Sequence, residues 1–101
     1  MKYERTASAK ADWERLSEQE RRLFMESMRE MNQAAGPHPQ RIPHFPTRLR
    51  VGQLEGYPGI YEMTWSFSGP DGRATFEPFR EAGEVGFRWR RIGDHHIFKN
   101  P

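Results

Sequence analysis

The sequence predicts an α+β domain in which an N-terminal short strand and a helical hairpin pack on a small, mostly antiparallel sheet. Three observations predict it. Apolar residues recur at helical spacing between Ala7 and Ala35. Four prolines, Pro37, Pro39, Pro43 and Pro46, then exclude regular structure. Beyond them apolar and polar residues alternate with the period of a strand.

Residues 2–6, Lys-Tyr-Glu-Arg-Thr, read as a short edge strand. Ala7 to Leu16 reads as a helix, with Ala9, Trp13 and Leu16 on one face. Ser17-Glu18-Gln19-Glu20 fits a capping box and starts a second helix. Phe24, Met28, Met31 and Ala35 continue it as a core stripe, and Gly36-Pro37 ends it. Residues 36–47 are a connecting loop. Leu49 and Val51 alternate with Arg48 and Arg50, and Gly56-Tyr57-Pro58-Gly59 is a turn. Tyr61, Met63, Trp65 and Phe67 alternate with Glu62, Thr64, Ser66 and Ser68, the clearest strand in the chain. Gly69-Pro70-Asp71-Gly72 reads as a hairpin connection to a partner strand that carries Ala74 and Phe76 and stops at Pro78. Residues 80–84 form a polar loop. Val85, Phe87 and Trp89 alternate with Gly86, Arg88 and Arg90, Gly93 breaks that strand, and Ile97-Phe98 closes it.

At 101 residues the chain is expected to form one domain, 1–101. Thirteen aromatic residues and a net charge of only +2 argue for an aromatic core and against a disordered polyelectrolyte. The absence of cysteine excludes a disulfide framework, a thiolate metal site and a thiol nucleophile. No signal peptide and no membrane span are visible, so a cytoplasmic protein without membrane contact is expected.

The position of the charge says more than its total. Residues 1–35 hold seven basic and seven acidic side chains, whereas 36–101 hold nine and seven. Arg88, Arg90, Arg91 and Lys99 face only Asp94 in the last segment, and Arg41, Arg48 and Arg50 stand without an acid between residues 41 and 50. Thirteen of the sixteen bases are arginine, whose planar fork suits phosphate.

The helical pair must cover one sheet face, since each element alone has an exposed apolar side. The other face then carries Arg48, Arg50, Glu62, Thr64, Arg73, Arg88 and Arg90, provided the pairing register agrees. Such a face suits a phosphodiester. Arginine neutralises the phosphate and the charge that develops on it, and a histidine or a carboxylate such as Glu62 moves the proton of a ribose 2′-hydroxyl. No metal or other cofactor is expected. His95 and His96, as neighbours on a strand, would point to opposite faces, and no HxH or HxxxH spacing occurs with Asp94, His44 or His38. Trp65, Trp89, Tyr61 and Phe87 fall on the apolar side of the alternation, as core residues rather than stacking platforms for bases.

The order of these elements resembles the RelE/ParE toxin superfamily of bacterial toxin–antitoxin systems. Four strings carry the resemblance: the opening, which ends on Ala9-x-x-Asp12-Trp13-x-x-Leu16; Leu54 to Met63, similar to the entry of the central strand; Asp71 to Phe76; and Trp89 to His95. The resemblance implies a RelE-like fold and a metal-independent endoribonuclease that cleaves ribosome-bound mRNA, with a cognate antitoxin, the ribosome and mRNA as partners. In the ParE branch it implies an inhibitor of DNA gyrase, and a third possibility is a non-toxic nucleic-acid-binding domain of the same fold. By this resemblance Arg73 matches an arginine used on the scissile phosphate, with Arg91 or Arg90 beside it. His95 is the general acid or base and Glu62 its partner. Arg48, Arg50, Arg88, Arg90, His96 and Lys99 would bind RNA. The chain departs from RelE in two places: Phe98 stands where RelE has a tyrosine, and Glu62 and Thr64 stand where it has lysines.

Overall fold

The computed structural model describes residues 2–67 and 71–101. Both helices begin where the sequence supplies side-chain caps. Thr6 ends strand β1 (Lys2–Arg5) and accepts a hydrogen bond on Oγ1 from the Ala9 amide at 3.1 Å, opening α1 (Ala7–Arg15). Ser17 opens α2 (Glu18–Ala35) with a complete capping box. The Glu20 amide donates to Ser17 Oγ at 3.1 Å, and the Ser17 amide donates to Glu20 Oε1 at 2.8 Å. Gly36 stops α2 with φ of 75°, a left-handed value that glycine takes without a Cβ clash.

The sheet has five strands: β1, β2 (Gly52–Gln53), β3 (Tyr61–Ser66), β4 (Gly72–Glu81) and β5 (Glu84–Gly93), in the order β1-β5-β4-β3-β2. β2 to β5 pair antiparallel, while β1 lies parallel to β5 at one edge. The sheet is thus mostly antiparallel, as expected. Registers Met63↔Ala74↔Ile92 and Tyr61↔Phe76↔Trp89 put these residues on the face beneath the helices. Phe24 of α2 anchors that core, its ring edge-on to Trp89 at 5.1 Å and to Trp65 at 6.0 Å. Trp65, Trp89 and Phe87 are buried and Tyr61 packs at the margin, so the aromatic residues serve the core.

Five local expectations are corrected. Leu49 and Val51 do not lie on a strand. Thr47–Leu49 is a 3-10 turn, Arg50 has φ of 49°, and only Gly52 and Gln53 pair with β3. Their apolar side chains reach the core through a turn, a spacing that alternation imitates. β4 does not stop at Pro78 but continues to Glu81, paired with β5. β3 accompanies β4 only as far as Phe76, so the missing amide of Pro78 costs no bond on that side. The 80–84 loop is a tight hairpin in which Ala82 and Gly83 both have positive φ, 53° and 79°, the twist that two-residue hairpins favour. Ile97-Phe98 is part of a second 3-10 turn, His95–Lys99. β3 ends at Ser66; Ser68 and the first two residues of the expected Gly69–Gly72 connection lie outside the described residues.

A bulge shapes the outer face of the sheet. Thr75 pairs with Arg91 and Phe76 with Trp89, so Arg90 is an extra residue in β5. Trp89 and Ile92 are both core residues, and the two arginines between them therefore turn outward together. The C-terminal segment folds back over this end of the sheet. Ile97 is buried against Gly93, where a Cβ would approach Ile97 Cγ2 to 2.9 Å, and Pro101 is buried.

Asp12 ties these parts together. β1 pairs no further than Arg5↔Trp89, which leaves the rest of the β5 edge open. The Ile92 amide on that edge donates to Asp12 Oδ2 at 3.0 Å, and Arg91 donates to the same carboxylate from Nε at 2.7 Å and from its terminal nitrogen at 3.3 Å. Asp12 is 5% exposed. Removing one partner of a buried pair strands the other. Asp12→Ala is expected to cost about 3 kcal/mol in urea unfolding, the low end for breaking a buried ion pair, because Arg91 keeps some access to water. Arg91→Ala in the Asp12→Ala background should cost little more, which a double-mutant cycle would measure.

Burial also acts on Tyr3, whose hydroxyl is pushed up to about 12. The folded state favours the neutral phenol. Its contribution is therefore fully present below the ordinary tyrosine value of about 10 and is lost as pH rises through 12. The urea midpoint should fall over that window, and the fall should be shallower for Tyr3→Phe.

Candidate functional site

The outer face is built in cross-strand rows. Glu4, Arg88 and Glu77 form one row, Arg91, Thr75 and Glu62 a second, and Gly93, Arg73 and Thr64 a third. The expected outer face is thus found for Glu62, Thr64, Arg73, Arg88 and Arg90. It does not include Arg48 or Arg50. Arg48 lies on the helical side, where it pairs with Glu30 of α2 at 2.7 Å and stacks over Phe67 at 5.3 Å. Arg50 borders an open cleft of about 510 Å³ with His44, Phe45 and Tyr61, because the 3-10 turn breaks the alternation that would have carried it onto the sheet.

Most outer-face guanidinium groups already hold carboxylates. Arg88 bridges Glu4 at 2.9 Å and Glu77 at 3.1 Å, hydrogen bonds that raise its already high pKa. Arg90 lies 3.5 Å from Glu77 and donates to the Pro101 backbone oxygen at 3.3 Å. Arg91 belongs to Asp12, whose hydrogen bond also raises its pKa, and it donates to the Asn100 carbonyl at 3.0 Å. Its side chain thus joins α1 to the C-terminal segment.

Arg73 is held differently. It donates to Thr64 Oγ1 at 2.9 Å, and its contact with Asp71 is long, 3.4 Å. Thr64 is buried directly opposite, and Trp65 Nε1 donates to the Arg73 carbonyl at 2.9 Å from the core side. Backbone and hydroxyl thus fix the arginine while its guanidinium keeps donors for an anion. Glu62, half-buried, is its diagonal neighbour across β3 and β4, a relation that spans about 7–8 Å between backbones. Gly93 pairs with Arg73, so the turn that begins two residues later starts at the same corner. The resemblance assigns Arg73, Glu62 and His95 to one site; the pairing makes Glu62 the diagonal neighbour of Arg73, and the turn that bears His95 begins beside Gly93, the partner of Arg73. Sequence reasoning missed Asp71 as the partner of Arg73, although a carboxylate two residues before a strand arginine is a visible signal.

Asp94 organises that turn. It caps the His96 amide through Oδ1 at 2.8 Å, and the His96 ring meets the same oxygen through Nδ1 at 2.8 Å. These bonds, the backbone one foremost, hold the Asp94 carboxyl below the usual carboxylate range. His95 and His96 are not on opposite faces, because they sit in a 3-10 turn and not on a strand. Their ring centres are 4.2 Å apart, and one ligating atom from each of Asp94, His95 and His96 lies within 4.8 Å of the others. Both rings and Lys99 are exposed.

A short strand, two helices and an antiparallel sheet closed by an arginine-bearing outer corner make the fold that of the RelE/ParE toxins. Two solved structures are similar over nearly the whole chain. One is a YoeB/ParE toxin from Agrobacterium tumefaciens (TM-score 0.64, 16% identity, 94% of this chain and 99% of that one). The other is the E. coli toxin RelE in the free state, with two arginines replaced (TM-score 0.63, 13% identity, 97% of this chain and 90% of that one). No protein-family model matches the sequence, and no curated protein matches it. Among the described residues, no helix is long and apolar enough to cross a membrane.

Asp94→Ala removes both bonds to His96. The His96 amide should then exchange its hydrogen faster, on the scale of a lost cap of about 1 kcal/mol, while amides in β4 and β5 keep their protection.

Proposed function

We propose that the chain is the toxin of a bacterial toxin–antitoxin pair and acts as a metal-independent endoribonuclease on ribosome-bound mRNA. The observation that carries this reading is the corner where Arg73, fixed by Thr64 and only loosely engaged by Asp71, has Glu62 as its diagonal neighbour and the histidine-bearing turn beginning beside its partner Gly93. The likeness in fold to RelE supports it.

In this reading Arg73 contacts the non-bridging oxygens of the scissile phosphate and stabilises the charge that accumulates there. The ribose 2′-oxygen attacks phosphorus, and the bond to the 5′-oxygen breaks. Glu62 takes the 2′-hydroxyl proton and His95 returns one to the departing 5′-oxygen. The products are a 2′,3′-cyclic phosphate and a 5′-hydroxyl, with no metal in the step. Arg91 is too firmly committed to Asp12 to share the phosphate, and its part is to hold the corner in place. Arg88, Arg90, His96 and Lys99 line the approach for the RNA backbone. A cognate antitoxin covers this face, and the chain works in the cytoplasm, where ribosomes are.

The ion pairs of Arg88, Arg90 and Arg91 favour a second reading. A face whose arginines are matched by acids suits a protein partner better than a bare phosphate chain. That reading is a non-catalytic inhibitor of DNA gyrase, in line with the ParE name of the Agrobacterium structure.

Induced expression is expected to stop growth, and primer extension should show new mRNA ends in the ribosomal A site. Arg73→Ala should lower cleavage by about a hundredfold or more, the usual loss for one oxyanion donor. His95→Ala should lower it by about 10²–10⁴-fold, the range for a general acid or base. Growth arrest with intact mRNA, DNA damage and full toxicity of His95→Ala would replace the nuclease with the gyrase inhibitor.

A further inference from the structure

We propose that Asp94, His95 and His96 form a surface site for a divalent first-row transition ion of the zinc type. The donor set is one carboxylate and two imidazoles, which suits zinc and its neighbours and not magnesium or calcium. A 3-10 turn sets consecutive side chains about 120° apart, less than the roughly 180° of a strand, so neighbouring rings can lean together. The result is visible in the rings of His95 and His96, tilted by 33° with centres 4.2 Å apart.

The distances are close to those an ion needs. Zinc at about 2.0–2.2 Å from nitrogen and oxygen ligands in a tetrahedron sets neighbouring ligand atoms roughly 3.4 Å apart. One ligating atom from each residue already lies within 4.8 Å of the others. Asp94 Oδ1 and His96 Nδ1 stand 2.8 Å apart across a hydrogen bond, so an ion entering there takes the place of the shared proton and keeps the pair together. The His95 ring closes the third position by rotating about exposed bonds. No core contact moves, because both rings face solvent. The Asp94 backbone is fixed as the cap of the turn, and a fourth position stays open to water.

The ion is no cofactor for the reaction proposed above. A ring nitrogen that ligates a metal cannot carry a proton, so occupancy opposes any acid–base role of His95. This consequence rests on the nuclease reading; the binding itself does not.

Calorimetric titration of the full chain with zinc chloride, in chelator-free buffer, tests the site. One ion per chain is expected. His95→Ala and His96→Ala should each weaken binding at least tenfold, since losing even an outer partner of a ligand typically costs about 10–100-fold. His38→Ala, an exposed ring paired with Glu84 elsewhere, should bind as the parent does. Circular dichroism of each variant confirms that the fold is kept. Absence of binding up to millimolar zinc overturns the site, as does affinity unchanged in both His95→Ala and His96→Ala. Zinc should also suppress mRNA cleavage, with recovery on adding EDTA. A chain that binds zinc through these residues yet cleaves no mRNA, with or without EDTA, overturns the nuclease reading and leaves the site standing.

Discussion

The architecture depends on one carboxylate. Asp12 lies on the first helix, yet it performs the work of a strand, accepting the Ile92 amide where β1 has run out. An open strand edge beneath a helix would leave a buried amide without an acceptor, at a cost comparable to a lost hydrogen bond. A buried carboxylate without a cation would be worse. Asp12 meets the first need and Arg91 the second, and the bulge at Arg90 is what lets Arg91 reach the Asp12 side while Trp89 and Ile92 stay in the core. Arg91 then passes the constraint on to the C-terminal segment through the Asn100 carbonyl. Helix, sheet edge and chain end are thereby registered to one another at the corner that carries Arg73 and the histidine turn.

The fold was legible because its signals are local and redundant. The capping box at Ser17, the Gly36-Pro37 stop and the alternation from Tyr61 to Ser66 each say the same thing at two levels, propensity and pattern. One error arises because period 2 is not unique to strands: Leu49 and Val51 imitate a strand around a turn with a left-handed residue. Ile97-Phe98, a short apolar pair, lies instead in a 3-10 turn. Pro78 misleads in the opposite direction, since its effect depends on whether a neighbouring strand is present, which is a fact of the sheet and not of the residue. Such facts are tertiary, and no window of sequence contains them.

The charge pattern shows the same limit. An excess of base between residues 85 and 101 reads as a basic face when acids are counted along the chain. The folded face collects acids from elsewhere: Glu4 from β1, Glu77 from β4 and Asp12 from α1. Each lies at least eleven residues from the arginine it meets. Three of the arginines assigned to RNA or phosphate therefore stiffen the sheet as well as charge it. Arg73 differs from Arg88 and Arg91, whose acids approach to 2.9 Å and 2.7 Å, because its own acid, Asp71, reaches it only at 3.4 Å. The sequence picked out that arginine through a family-like string, and the physical distinction between it and its neighbours emerges only from the pairing.

That contrast bears on how a small sheet keeps one arginine available to an anion. A guanidinium locked between two carboxylates is well positioned but has little affinity left for an anion, whereas an unconstrained one pays rotamer entropy on binding. Arg73 avoids both extremes. Its backbone carbonyl is gripped by Trp65, one terminal nitrogen by a buried threonine hydroxyl, and its charge is only partly met. A threonine at position 64 fits this arrangement, because a cation opposite Arg73 would repel it and could not accept its hydrogen bond. The corner is therefore built around one arginine oriented by neutral and acidic neighbours.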